Sequence, residues 1–335
     1  MDITLLPLLL VLLASFFQGS FGIGMKYMAP LKWEAWWLVH AFVAMVFMPI
    51  GWALLVVPDL LEVIFTVDST VLWMAMFFGF LWGIGGIMFG VSVSYTGVSI
   101  TYGIVMGLAA SMGSVIPLFQ MENATEQSGF GLILVGVMIL LVGVAITAVA
   151  GVQRDRLQKS VNTGGKSIAV GLMIAIASGV LSAFLNVGFS NATPIIHAAV
   201  DNYGVSTQNA SLAAWVVVLT GAFVMNGGYA LFQLIKNKTW SSFRAEHSAK
   251  AYRWAIVAGV FWFAALGVYG QGAALMGSLG PVIGWPILLG LALIISNIWA
   301  YRAGEWKNAK KPFTVLLIGL AVLIVAICIL GYANY

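Results

Sequence analysis

Ten long apolar runs, separated by short polar connections, set the rhythm of this chain. They lie at about 3–28, 34–57, 71–95, 98–118, 129–150, 167–190, 210–234, 251–271, 280–301 and 312–333. Each is long enough to cross a hydrocarbon layer as a helix. The stretch Phe77–Pro117 is the most telling, with no charged side chain and nine glycines. Gly79/Gly83, Gly86/Gly90 and Gly103/Gly107 have the four-residue spacing that puts two flat spots on one helix face, where a neighbouring backbone can approach closely. The link Tyr95–Ser99 carries no Lys or Arg, so the two helices it joins are predicted to form a tight hairpin.

Composition supports the pattern. Of 335 residues, 61% are hydrophobic and 8% charged, against about 25% charged in a soluble domain. The chain is therefore an all-α polytopic membrane protein. The N-terminal run lacks a basic flank and flows into further apolar sequence, so it reads as a retained first span. Cys328 is the single cysteine, which excludes an intrachain disulfide or a cysteine-based metal site.

Charge then orients the spans. All 15 Lys and Arg fall in four connections: Lys26 and Lys32; Arg154, Arg156, Lys159 and Lys166; Lys236, Lys238, Arg244, Lys250 and Arg253; Arg302, Lys307, Lys310 and Lys311. With ten spans, these connections share one face. The other face carries only Asp2, Asp59, Glu62, Asp68, Glu122, Glu126 and Asp201. The positive-inside rule makes the basic face cytoplasmic and puts both termini outside. A net charge of +4 spread over short loops does not suggest a nucleic-acid partner.

Ten spans divide into five plus five, and an odd number per half inverts the second half relative to the first. Traces of a repeat are present. Ala14–Phe21 (ASFFQGSF) parallels Ala177–Phe184 (ASGVLSAF), and Trp82, Phe89, Gly90 and Gly97 recur at constant offset as Trp262, Tyr269, Gly270 and Gly277. The expected organisation is a first five-helix repeat at 1–150, a cytoplasmic linker at 151–166 and a second repeat at 167–335.

No carboxylate falls near mid-membrane. Glu34 starts the second span, close to Lys26 and Lys32, and is either an interfacial ion-pair partner or a coupling group. His40 lies further in, with Trp36 and Trp37 on its own helix face, and is either packing or functional. His197 follows the sixth span, with Asp201 one turn away if the helix continues, and imidazole titrates where an external proton gradient operates. Gln18, Asn186, Asn191, Asn226, Gln271 and Asn297 are amides inside spans, which must find partners across helices or in a ligand. Trp82 and Trp262 fall near the midplane, away from the interfaces where tryptophan is usually enriched. Rings that cover a C–H face and amides that match hydroxyls suit a neutral polyol; helix packing is the alternative. HExxH, GxSxG, Walker and carboxylate-cluster patterns are absent, so neither an enzyme nor a cofactor is expected.

Four stretches are similar to one known family. They are FGFLWGIGGIMFGVSVSYTGVSITYGI (Phe78–Ile104), KYMAPLKWEAWW (Lys26–Trp37), Pro194-Ile-Ile-His197 and Glu305-Trp306-Lys-Asn308-Ala309 with Pro312. The chain resembles the L-rhamnose–proton symporter family of the drug/metabolite transporter superfamily. That resemblance implies ten helices as an inverted five-helix repeat and proton-driven uptake of a 6-deoxyhexose across the inner membrane. It points to Glu34, Trp82 and His197 as family positions. The chain departs from the pattern at Gly86, where an asparagine is expected, and at Gln271, where a histidine is expected. The expected sugar contacts are Gln18, Trp82, Asn186, Trp262, Tyr269 and Gln271, and the expected coupling groups are Glu34, His40 and His197. The partners are a small neutral sugar, a proton and the lipid bilayer. The alternatives are a sugar facilitator without proton coupling and an exporter of metabolites or amphipathic compounds.

Overall fold

A computed structural model describes residues 5–127, 129–158 and 167–333. Asp2, Lys159, Lys166 and the linker beyond Gln158 lie outside the described residues. Among the described residues are ten membrane-length apolar helices: span 1 (Leu6–Tyr27), span 2 (Trp33–Val56), span 3 (Ser69–Thr96), span 4 (Val98–Gln120), span 5 (Phe130–Leu157), span 6 (Ile168–Tyr203), span 7 (Thr207–Asn237), span 8 (Ala249–Leu275), span 9 (Gly277–Arg302) and span 10 (Lys310–Tyr332). The all-helical expectation holds in number and order. Span 6 is longer than expected, because Pro194 opens a new helix, Thr193–Tyr203, where its missing N–H is harmless. A short helix, Leu60–Thr66, was not expected.

The chain forms two compact units. The first comprises Met1–Gly83 and Gly188–Leu275, the second Ile84–Val187 and Met276–Tyr335.

In the first unit, glycines set the helix crossings. A Cβ on Gly79 of span 3 would collide with the Val218 carbonyl of span 7, and one on Gly221 of span 7 with the Met76 carbonyl of span 3. The two backbones therefore touch through reciprocal glycines. Gly259 of span 8 likewise faces the His40 carbonyl and Val43 of span 2, where a Cβ would stand 3.0 and 2.9 Å away. Span 2 is α-helical to Phe42, passes through a π-turn at Val43–Phe47 and resumes at Met48. Pro49, which lacks an N–H, stands just after that turn and accounts for the break in the ladder. His40 is thus fixed on the last α-helical turn before it. At the basic end, Tyr27 stacks on Trp254 at 4.7 Å, Lys250 lies over Tyr27, and the Lys32 N–H donates to Ser242 Oγ at 2.7 Å. Connections 1–2 and 7–8 therefore meet.

In the second unit, spans 3 and 4 are separated by Gly97 alone, whose φ of 82° only glycine adopts easily. Hydroxyls close the predicted hairpin: Thr96 and Thr101 Oγ1 are 2.8 Å apart, and Ser92 Oγ donates to the Gly171 carbonyl at 3.0 Å. Span 10 lies along span 5 over Gly136, Gly143 and Gly319. At the basic end, Arg154 donates to Asp155 and Glu305, at 2.9 and 3.1 Å, and lies 4.8 Å over the Trp306 ring. Connections 5–6 and 9–10 meet there.

Candidate functional site

The first unit carries a connected set of rings and amides. The Trp82 and Trp262 rings contact each other at 5.3 Å, tilted by 34°. Trp262 is buried and Trp82 half-buried. Beside Trp82, Gly83 leaves room for Asn226, whose Nδ2 would stand 3.0 Å from a Cβ there. Asn226 is buried on span 7; its Oδ1 accepts the Trp37 indole N–H at 3.2 Å, and its Nδ2 donates to the Ala222 carbonyl. Trp37 in turn contacts His40 at 5.0 Å.

His40 sits among three rings. Trp36 lies parallel to it at 5.3 Å and Phe21 at 6.2 Å, with Trp37 tilted against it. It hydrogen-bonds to the backbone of Ala255, while its Nδ1 is buried with no partner. One helical turn before Phe21, Gln18 has a buried Oε1 that is also without a partner. Phe17, next to Gln18, meets Phe261, next to Trp262, edge to face at 5.3 Å. A buried polar atom left unpaired costs about 1–3 kcal/mol. With the Trp36 indole N–H, which is likewise buried and unpartnered, three such atoms in one aromatic cluster are places for a hydrogen-bonding ligand or water.

The other expected site residues are placed elsewhere. Asn186 lies in the second unit, fully buried, with its amide donating to the Gly113 and Pro281 carbonyls at 2.8 Å each. Tyr269 is fully buried beside Phe189 and Trp215, with centroids at 5.9 and 6.3 Å. Gln271 is half-buried and donates to Asn209 Oδ1 at 3.3 Å. His197 is exposed on the terminal segment of span 6. Glu34 is buried at the basic end, where it accepts from Asn237 at 3.2 Å and Thr239 at 2.5 Å. These neutral donors are partners that the nearby lysines had not suggested.

Trp37 and Asn226 are the residues that sequence reasoning left out of the site. Both were visible as an aromatic beside His40 and an intramembrane amide, but their bond crosses 189 positions. Among the described residues, the contacts that run from Trp262 to His40 are made by indole rings, an imidazole and the Asn226 amide.

Ten membrane-length helices among the described residues, with rings and amides clustered within the first unit, are the architecture of a multi-pass transporter. The sequence profile of the L-rhamnose-proton symport protein (RhaT) family matches residues 2–334. An L-rhamnose-proton symporter of Mannheimia succiniciproducens is 27% identical over 317 residues, 92% of this chain and 91% of that protein. One from Yersinia pestis is 26% identical over 316 residues, 91% of each. The chain belongs to the L-rhamnose-proton symport protein family, and with its ten spans it is a multi-pass protein of the inner membrane.

Proposed function

We propose that this protein imports a 6-deoxyhexose of the L-rhamnose or L-fucose type together with a proton, by alternating access. The family match over residues 2–334 carries this reading. The site is chemically suited to such a cargo. The half-buried face of Trp82 against Trp262 can cover the C–H side of a pyranose, while Gln18 and Asn226 offer amide groups to its hydroxyls. Asn186 and Tyr269 serve packing in this reading, and Gln271 orders the outer ends of spans 7 and 8 through Asn209.

His40 is the proton acceptor we favour. In its neutral form Nδ1 is a free acceptor, and the surrounding π faces can carry an imidazolium. Glu34 and His197 lie at opposite ends of the path, as candidates for proton release and entry. The basic face is taken as cytoplasmic, with both termini outside and the halves at 1–150 and 167–335 inverted. Consistent with inversion, Gly79 and Gly259 occupy matching places: one seats span 3 on span 7, the other span 8 on span 2. The test is uptake of labelled L-rhamnose into proteoliposomes with an imposed inward proton gradient. Accumulation that a protonophore abolishes is expected. Uptake indifferent to the protonophore would leave a facilitator, and no uptake of either deoxysugar would remove the substrate assignment.

A further inference from the structure

The second unit carries an apolar groove that the transport reading does not use. It has a volume of about 710 Å³ and runs between Ile100–Leu108 of span 4 and Leu141–Arg156 of span 5, with Ile176 of span 6 on its rim. Small side chains border it: Gly103 of span 4 packs directly on Ala148 of span 5, Gly107 meets Leu141 and Val144 at ordinary contact distance, and Ala145 completes the lining. Val149 and Ile176 are each 50% exposed, so the groove opens outward among residues that belong in hydrocarbon.

Its two ends differ in chemistry. Every lining residue from Leu141 to Val152 is apolar, and the basic end is closed by Gln153 and Arg156. Arg156 is exposed and has no acidic partner among the described residues, whereas Arg154, two residues earlier, is held by Asp155 and Glu305. The lining of span 5 runs about 15 residues, or about 22 Å at a rise of about 1.5 Å per residue. That exceeds half of a hydrocarbon core of about 30 Å. One extended acyl chain fits this length.

We infer that the groove is a binding site for an anionic phospholipid, with one acyl chain along Gly103, Gly107, Ala145 and Ala148 and the phosphate on Arg156. An exposed arginine with no acidic partner among the described residues, at headgroup depth beside an apolar trough, complements a lipid in both parts. A helix from a second copy of the chain would match the trough but leave the guanidinium unanswered.

The full-length protein, reconstituted in nanodiscs of matched phosphatidylglycerol and phosphatidylcholine and transferred to mild detergent, can be read by native mass spectrometry. The expected result is one retained lipid, with phosphatidylglycerol favoured about fivefold for a single arginine at the surface. Arg156→Gln is expected to abolish the preference and keep retention. Ala145→Phe, which fills the groove at an exposed position, is expected to abolish retention itself. Equal retention of the two lipids, or a preference that survives Arg156→Gln, would overturn the inference. So would crosslinking between copies through Ala145→Cys, introduced with Cys328→Ser so that no other thiol is present, in lipid-replete membranes. None of these outcomes depends on what the protein transports.

Discussion

Trp82→Ala separates a substrate contact from a packing residue. Trp82 is half-buried and its one ring partner among the described residues is Trp262 at 5.3 Å, so the fold loses a single aromatic pair there. That pair is worth about 0.5–1.5 kcal/mol beyond its area. A sugar lying on the open indole face would lose cover over about 60 Å² of C–H surface. At about 25 cal/mol per Å² this is about 1.5 kcal/mol, about a tenfold change in affinity. Initial-rate uptake of L-rhamnose in proteoliposomes should show KM raised about tenfold, with the maximal rate per folded protein largely kept. Trp82→Tyr, which keeps a ring, should stay within about threefold of the native KM. An unchanged KM for Trp82→Ala in well-folded protein would refute the stacking argument.

Other substitutions probe separate parts of the account. His40→Gln keeps bulk and polarity but removes the titrating ring; gradient-driven accumulation should fall at least tenfold while sugar exchange at equal pH persists, and coupled accumulation that survives would dismiss His40. Asn226→Ala leaves the Trp37 indole N–H without its acceptor and should cost about 1–3 kcal/mol, read as a lower melting midpoint in detergent. Gly221→Ala drives a methyl group into the Met76 carbonyl and should destabilise by about 1–3 kcal/mol. Gly228→Ala, on the same helix with nothing within 4 Å, should be neutral or stabilising by up to about 1 kcal/mol. Equal melting midpoints for these two variants would undo the crossing argument.

The spans were legible because backbone in hydrocarbon must satisfy itself, so helix number follows from apolar length. Their irregularities were not. Pro49 lies inside the apolar run 34–57 and Pro194 just beyond the run 167–190, yet Pro49 follows a π-turn and Pro194 starts a helix that lengthens span 6. The residue types of the site were also legible, but not their partners. Asn186 and Asn226 are both buried amides in spans; one is held by two backbone carbonyls, the other holds a tryptophan from another helix. Glu34 shows the same limit. Its neighbours in sequence are lysines, while the donors that hold it come from Asn237 and Thr239, more than 200 positions away.

The central claim is that sugar and proton move together. Proteoliposomes loaded with a pH-sensitive dye and held at equal pH on both sides should acidify inside when L-rhamnose is added outside, with the response lost in His40→Gln. Sugar entry with no change in internal pH would contradict the account.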